Sequence, residues 1–217
     1  MLSKQDIDLY LDELASTVRS KVSEESHIKL VLVGGAAIAL QYRFRESTMD
    51  IDAFYKCEGL LDLAIGEVGK KYNMDSDWLN NNVVVTTSFT EKIEEFVVPY
   101  RVFQDTLDVY LVDSLTLVCM KCVSCRLDSH DMEDIKNILD THPEIKFKDI
   151  SKRFVYLFGD WSAMKADAQL YLTSRFNMPS PDMVEYLKGM LPPSVVRGAT
   201  EDEIYDRCCD VYRSMTA

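Results

Sequence analysis

No stretch of this 217-residue chain is apolar for long enough to cross a bilayer as a helix. A span needs about 18 apolar residues, and runs such as Leu30 to Val33 and Phe96 to Val98 have only the length of strands. An excess of basic charge is missing too: 24 Lys and Arg face 36 Asp and Glu, a net charge of −12. Broad, nonspecific binding to nucleic acid is thereby disfavoured, because neutralising phosphates takes clustered Lys and Arg. The start, Met1-Leu-Ser-Lys-Gln-Asp-Ile-Asp, has no basic segment followed by an apolar one, so no secretory signal is expected and a cytoplasmic location is the default. Internal repeats and low-complexity segments are absent. Six cysteines, at 57, 119, 122, 125, 208 and 209, do not form a secreted disulfide framework and are expected to be free thiols.

What is present is an ordinary globular balance, 47% hydrophobic and 28% charged, with charge unevenly placed. From Lys146 onward basic and acidic residues are equal in number, so the whole acidic excess lies earlier. Ser3 is placed to cap a helix to about Ser20, with Ile7, Leu11, Leu14 and Val18 at helical spacing. Strand patterns follow at Lys29 to Val33, Met49 to Tyr55, Asn82 to Thr87, Glu94 to Val102 and Thr106 to Val112, with helices over Ala36 to Tyr42 and Leu60 to Tyr72. After Asp113 the pattern is helical: Ser114 to Leu127, Asp131 to Leu139, Asp149 to Phe158, Trp161 to Phe176, Pro181 to Met190 and Glu201 to Met215. The expected architecture is α+β, a small mixed sheet flanked by helices over 1–113, followed by a helical domain over 114–217.

Chemistry is concentrated where Gly34-Gly35 is followed by Thr48-Met-Asp50-Ile-Asp52. Carboxylates at i and i+2 of a strand project from one face, close enough to share a hard divalent cation. Glycines at a strand-to-helix turn let backbone N–H groups approach a phosphate. Together they suggest metal-assisted handling of a nucleoside triphosphate. The bland alternatives are a tight turn and a solvated strand face. Cys119-x-x-Cys122-x-x-Cys125 has a spacing seen at iron–sulfur clusters, but in a helix it is better explained by small buried residues.

The glycine pair, the gap of about a dozen residues and Asp50-Ile-Asp52 resemble the signature of the polymerase-beta-like nucleotidyltransferase superfamily. Within it the chain is most similar to abortive-infection type nucleotidyltransferases, toxins of bacterial toxin–antitoxin pairs. Their Arg and Ser/Thr before Asp-x-Asp, and a later Lys followed by an Asp-bearing helix, are echoed by Arg45, Ser47, Thr48, Lys121 and Asp131 to Asp134. The resemblance spans roughly Lys29 to Leu139.

It implies transfer of a nucleoside monophosphate from an NTP to an acceptor hydroxyl with Mg²⁺ or Mn²⁺. Asp50, Asp52 and a third carboxylate would hold metal; Asp108, alone on the polar face of its strand, is the candidate, with Asp105 and Asp113 as competitors. Gly34, Gly35, Arg45, Ser47, Thr48 and Lys121 would bind the nucleotide. Many relatives carry Gly-Ser at the turn; here Gly35 removes that hydroxyl, and Ser47 or Thr48 is the replacement. Asp131, Glu133 and Asp134 suit a helix N-terminus whether or not they orient Lys121 or Arg126. His130 is a base by type only. The acceptor is a tRNA end, a protein or a small molecule, and an antitoxin is a possible partner. The rival is a catalytically silent nucleotidyltransferase-like interaction module; a third reading is a plain helical scaffold.

Overall fold

The computed structural model describes residues 1–22, 27–126 and 129–216. It opens with β1 (Leu2–Ser3) and α1 (Lys4–Arg19), entered through a capping box in which Ser3 and Asp6 bond each other's backbone N–H. Then come β2 (Ile28–Leu32), α2 (Gly34–Gln41), β3 (Ser47–Thr48), β4 (Ile51–Phe54), α3 (Glu58–Tyr72) and β5 (Leu79–Asn80). The edge strand β6 (Val97–Phe103) and β7 (Leu107–Val112) complete the sheet. Helices α4 (Ser114–Ser124), α5 (Asp131–Thr141), α6 (Phe147–Phe158), α7 (Ala166–Phe176), α8 (Pro181–Met190), α9 (Pro193–Val196) and α10 (Glu201–Thr216) follow. The protein is α+β: a mixed five-stranded sheet in the order β5-β4-β2-β7-β6, then a helical C-terminal region. Among the described residues no helix is long and apolar enough to cross a membrane.

Strand periodicity divides the core into two layers. Leu30, Leu32, Ile51, Ala53, Val109 and Leu111 face α1 and α3, whose Ile7, Leu11, Leu14, Leu61, Ala64 and Val68 are buried against them. Val31, Val33, Phe54 and Val112 face the other way, onto Leu117 and Val118 of α4 and, beyond them, Ile135, Phe154 and Trp161. Each fully buried Leu or Ile contributes about 1.5–3 kcal/mol of transfer free energy, so both layers are needed to hold the sheet. Helix α2 closes one end of the sheet with Ala36 to Leu40 all buried, Ala36 and Ala39 in one layer, Ala37 and Ile38 in the other.

Five expected elements differ, one of them the strand over Glu94 to Val102, which starts only at Val97 after a 3-10 turn over Glu91–Glu95. Asn82 to Thr87 is a 3-10 turn over Asn82–Val85, because the Asn80 side chain accepts the Asn82 N–H and closes a turn; Val83 is buried and Val85 exposed. Met49 to Tyr55 narrows to β4, and β3 before it pairs antiparallel with β1, a two-residue ladder too short to leave a periodic signal. The expected helix over Trp161 to Phe176 breaks between a 3-10 turn, Trp161–Ala163, and α7; the Asp160 side chain caps that turn through the Ser162 N–H. Helix α4 ends at Ser124, where Cys125 takes positive φ; the expected extension to Leu127 reaches beyond the described residues.

Candidate nucleotide cleft

Strand β2 runs into α2 through Gly34, whose φ of +56° is left-handed and open to glycine without strain. A Cβ there would also come within 3.3 Å of Asp52 Oδ2, so the turn and the acidic pair are in contact distance by construction. Gly35 is constrained differently: a Cβ on it would stand 2.6 Å from Thr48 Oγ1 and 2.9 Å from an Arg45 guanidinium nitrogen. The volume that a serine side chain would fill is already taken by the Thr48 hydroxyl. Thr48 is only 4% exposed, and it reaches this position because β3 pairs with β1 through Thr48–Leu2 and Ser47–Ser3. Alternation sends Thr48 into the cleft and Ser47 out of its lining. No side chain caps the N-terminus of α2, leaving its first N–H groups aimed at the cleft.

The cleft has a volume of about 650 Å³. Gly34, Gly35, Arg45, Thr48, Asp50 and Asp52 line one side; Lys121 and Ser124 of α4 and Asp131 of α5 line the other. Asp50 and Asp52 are both half-buried. Burial first, and then the charge of Asp50, push the Asp52 carboxyl above its ordinary value, although Asn80, Lys121 and Arg126 pull it down. The two carboxylates are hard oxygen donors of the kind that Mg²⁺ or Mn²⁺ takes.

Opposite stands a charge-balanced network. Lys121 Nζ donates to Asp131 Oδ1 at 2.5 Å and lies 3.0 Å from Asp134 Oδ2; Arg45 Nη1 donates to that same Asp134 oxygen at 2.6 Å. Asp131 Oδ2 accepts from Ser124 Oγ at 3.1 Å and from the Arg126 N–H at 3.2 Å. Burial raises the Asp131 carboxyl, but the Lys121 charge and these hydrogen bonds outweigh it and leave Asp131 below the usual carboxylate range. Arg45 therefore ties α5 to the glycine turn, and Asp131 and Asp134 fix the Lys121 ammonium at the cleft wall.

Residues 9–156 match the family described as nucleotidyltransferase of unknown function (DUF6036). The chain belongs to this family. Searches of curated proteins and of solved structures gave no match.

For a nucleotidyltransferase-family chain the placement of the acids matters most. Asp108 is not brought to the cleft: it pairs with Lys29 and lies 3.1 Å from His27 Nδ1. The Val33 N–H donates to Asp52 O, and Leu32 pairs with Leu111, so the β7 residue level with Asp52 is Val112. Four residues at about 3.3 Å each put Asp108 roughly 13 Å along the strand from that row. Asp113 caps α4 through the Thr116 N–H and pairs with Arg153 at 3.0 Å, outside the lining.

Cys119 and Cys122 are buried in α4, where burial raises both thiols, as expected of core residues. His130 lies on the rim, 3.1 Å from Glu133 Oε2. The cleft also holds residues that no sequence motif includes: Asn80, paired with Asp52 across β4–β5, and the wall formed by Asn82 and Thr86 to Ser88. The run Asn80-Asn81-Asn82 was the available signal, since three consecutive asparagines favour a turn over a strand.

Proposed function

We propose that this chain is a metal-dependent nucleotidyltransferase of the polymerase-beta-like type, moving a nucleoside monophosphate from an NTP to an acceptor hydroxyl. The observation that carries the reading is the glycine turn, the Asp50/Asp52 pair and the fixed Lys121 cation gathered on one cleft. N–H groups at the start of α2 and the Thr48 hydroxyl donate to the triphosphate; Lys121 adds a point charge. Bound Mg²⁺ or Mn²⁺, held by Asp50 and Asp52, would neutralise phosphate charge. The acceptor hydroxyl oxygen attacks the α-phosphorus in line and gives up its proton to solvent, while the bond from that phosphorus to the bridging oxygen breaks and pyrophosphate leaves. Arg126, whose side chain is 77% exposed, and Lys165 stand at the mouth as positive groups in an otherwise acidic protein. They suit an anionic acceptor such as a tRNA end better than a neutral small molecule, with a protein hydroxyl a further candidate; the toxin role, opposed by an antitoxin, accompanies this reading.

The test is incubation with each labelled NTP, Mg²⁺ and a panel of tRNA, protein and small-molecule acceptors. Acceptor labelling that disappears in Asp52→Asn is the expected result; full activity in that variant would move the metal elsewhere. A second reading, nucleotide binding without transfer, draws on one observation: among the described residues no group of three or more His, Cys, Asp or Glu is arranged to hold a metal. Binding by calorimetry with no labelled product for any acceptor would favour it.

A further inference from the structure

We propose that the cleft takes one divalent cation, not two, arriving with the triphosphate and held by Asp50, Asp52 and phosphate oxygens; this rests on the nucleotidyltransferase reading above. A pair of cations about 3.5–4 Å apart needs protein oxygens on both ions. In the row of Asp52 the position on β7 that would supply them is Val112, fully buried in the core beneath α4. The other acids nearby are committed. Both oxygens of Asp131 are hydrogen-bonded, to Lys121, Ser124 and the Arg126 N–H. Asp134 bridges Lys121 and Arg45. Asp113 holds Thr116 and Arg153. Two carboxylates completed by substrate phosphates are a normal Mg²⁺ arrangement, whereas they are a poor site for the bare ion. The positive charge that a second ion would bring is already present as the Lys121 ammonium, fixed by two carboxylates.

The experiment is a Mn²⁺ titration followed by electron paramagnetic resonance, with the full chain alone and with each of the four α,β-methylene NTP analogues. Surface sites on the acidic protein are removed by subtracting the Asp52→Asn titration. The expected result is one Mn²⁺ per chain in the presence of an analogue, bound at least tenfold more weakly without it. Two analogue-dependent Mn²⁺ per chain would overturn the proposal, as would equal affinity with and without analogue. Asp108→Asn should leave the count at one; a count that drops to zero would show that Asp108 is a ligand and overturn it too. If no analogue binds at any Mn²⁺ concentration, the nucleotidyltransferase reading itself fails, and that outcome is distinct from a wrong count.

Discussion

Placing a serine at position 35 should destabilise this protein, and removing the Thr48 side chain should restore much of the loss. In the native turn a Cβ on residue 35 would lie 2.6 Å from Thr48 Oγ1 and 2.9 Å from an Arg45 nitrogen. Thr48 is 4% exposed and anchored in the β1–β3 ladder, and the Arg45 guanidinium is held by Asp134 at 2.6 Å, so neither neighbour gives way freely. Overpacking of this kind costs about 1–3 kcal/mol. For a chain of this size that corresponds to a fall in Tm of roughly 2–12 °C. Thr48→Ala alone loses a buried methyl and a hydroxyl, on the order of 1 kcal/mol. In Gly35→Ser/Thr48→Ala the new side chain enters the vacated volume, so the double variant should be more stable than the sum of the singles by about 1 kcal/mol or more, beyond the ~0.3–0.5 kcal/mol scatter of independent sites. Urea unfolding of the four proteins at neutral pH measures this directly. Strict additivity, or a Gly35→Ser protein as stable as wild type, would refute the claim that Thr48 occupies the space of the missing serine.

Two further outcomes follow from the charges of the cleft. Asp131 has a depressed carboxyl in the folded state, so its stabilisation is present above the ordinary carboxylate pKa and lost as pH falls through the lower folded value. Thermal unfolding between about pH 5 and pH 2 should therefore show a smaller acid-induced loss in Asp131→Asn than in wild type, while at pH 7 the variant is less stable by about 1–3 kcal/mol because Lys121 loses its closest partner and keeps only Asp134; parallel acid profiles would contradict this. Asp52 has the opposite sign. Its raised carboxyl favours folding below the ordinary pKa, and the benefit disappears as pH rises through the folded value, so without divalent ions at pH 7 Asp52→Asn should melt higher than wild type. A lower Tm for that variant in chelator would show that the carboxylate is well compensated in the resting protein.

The periodic elements were legible in the residue order because each has a strong local cause. Ser3 with Asp6 is a capping box, and Leu107, Val109 and Leu111 alternate as one buried strand face must. That Gly34 and Gly35 lie beside Asp50 and Asp52 was legible as well, since such closeness needs only short spacing. Asp108 was chosen for facing the polar side of its strand, and it does share a sheet face with Asp52. Position along the strand is a matter of register between β2 and β7, separated by some 75 residues, and no local pattern encodes that.

The sequence by itself therefore determined most of the longer strands and helices, and that a glycine turn precedes an acidic pair: propensity, capping and periodicity act over a few residues. Only the tertiary structure decided that Thr48 fills the space beside Gly35, that Val112 and not Asp108 stands level with Asp52, and that Lys121 is fixed between Asp131 and Asp134. Those are contacts between distant segments, set by strand register and by helices closing over the sheet, where burial and charge compensation choose the partners.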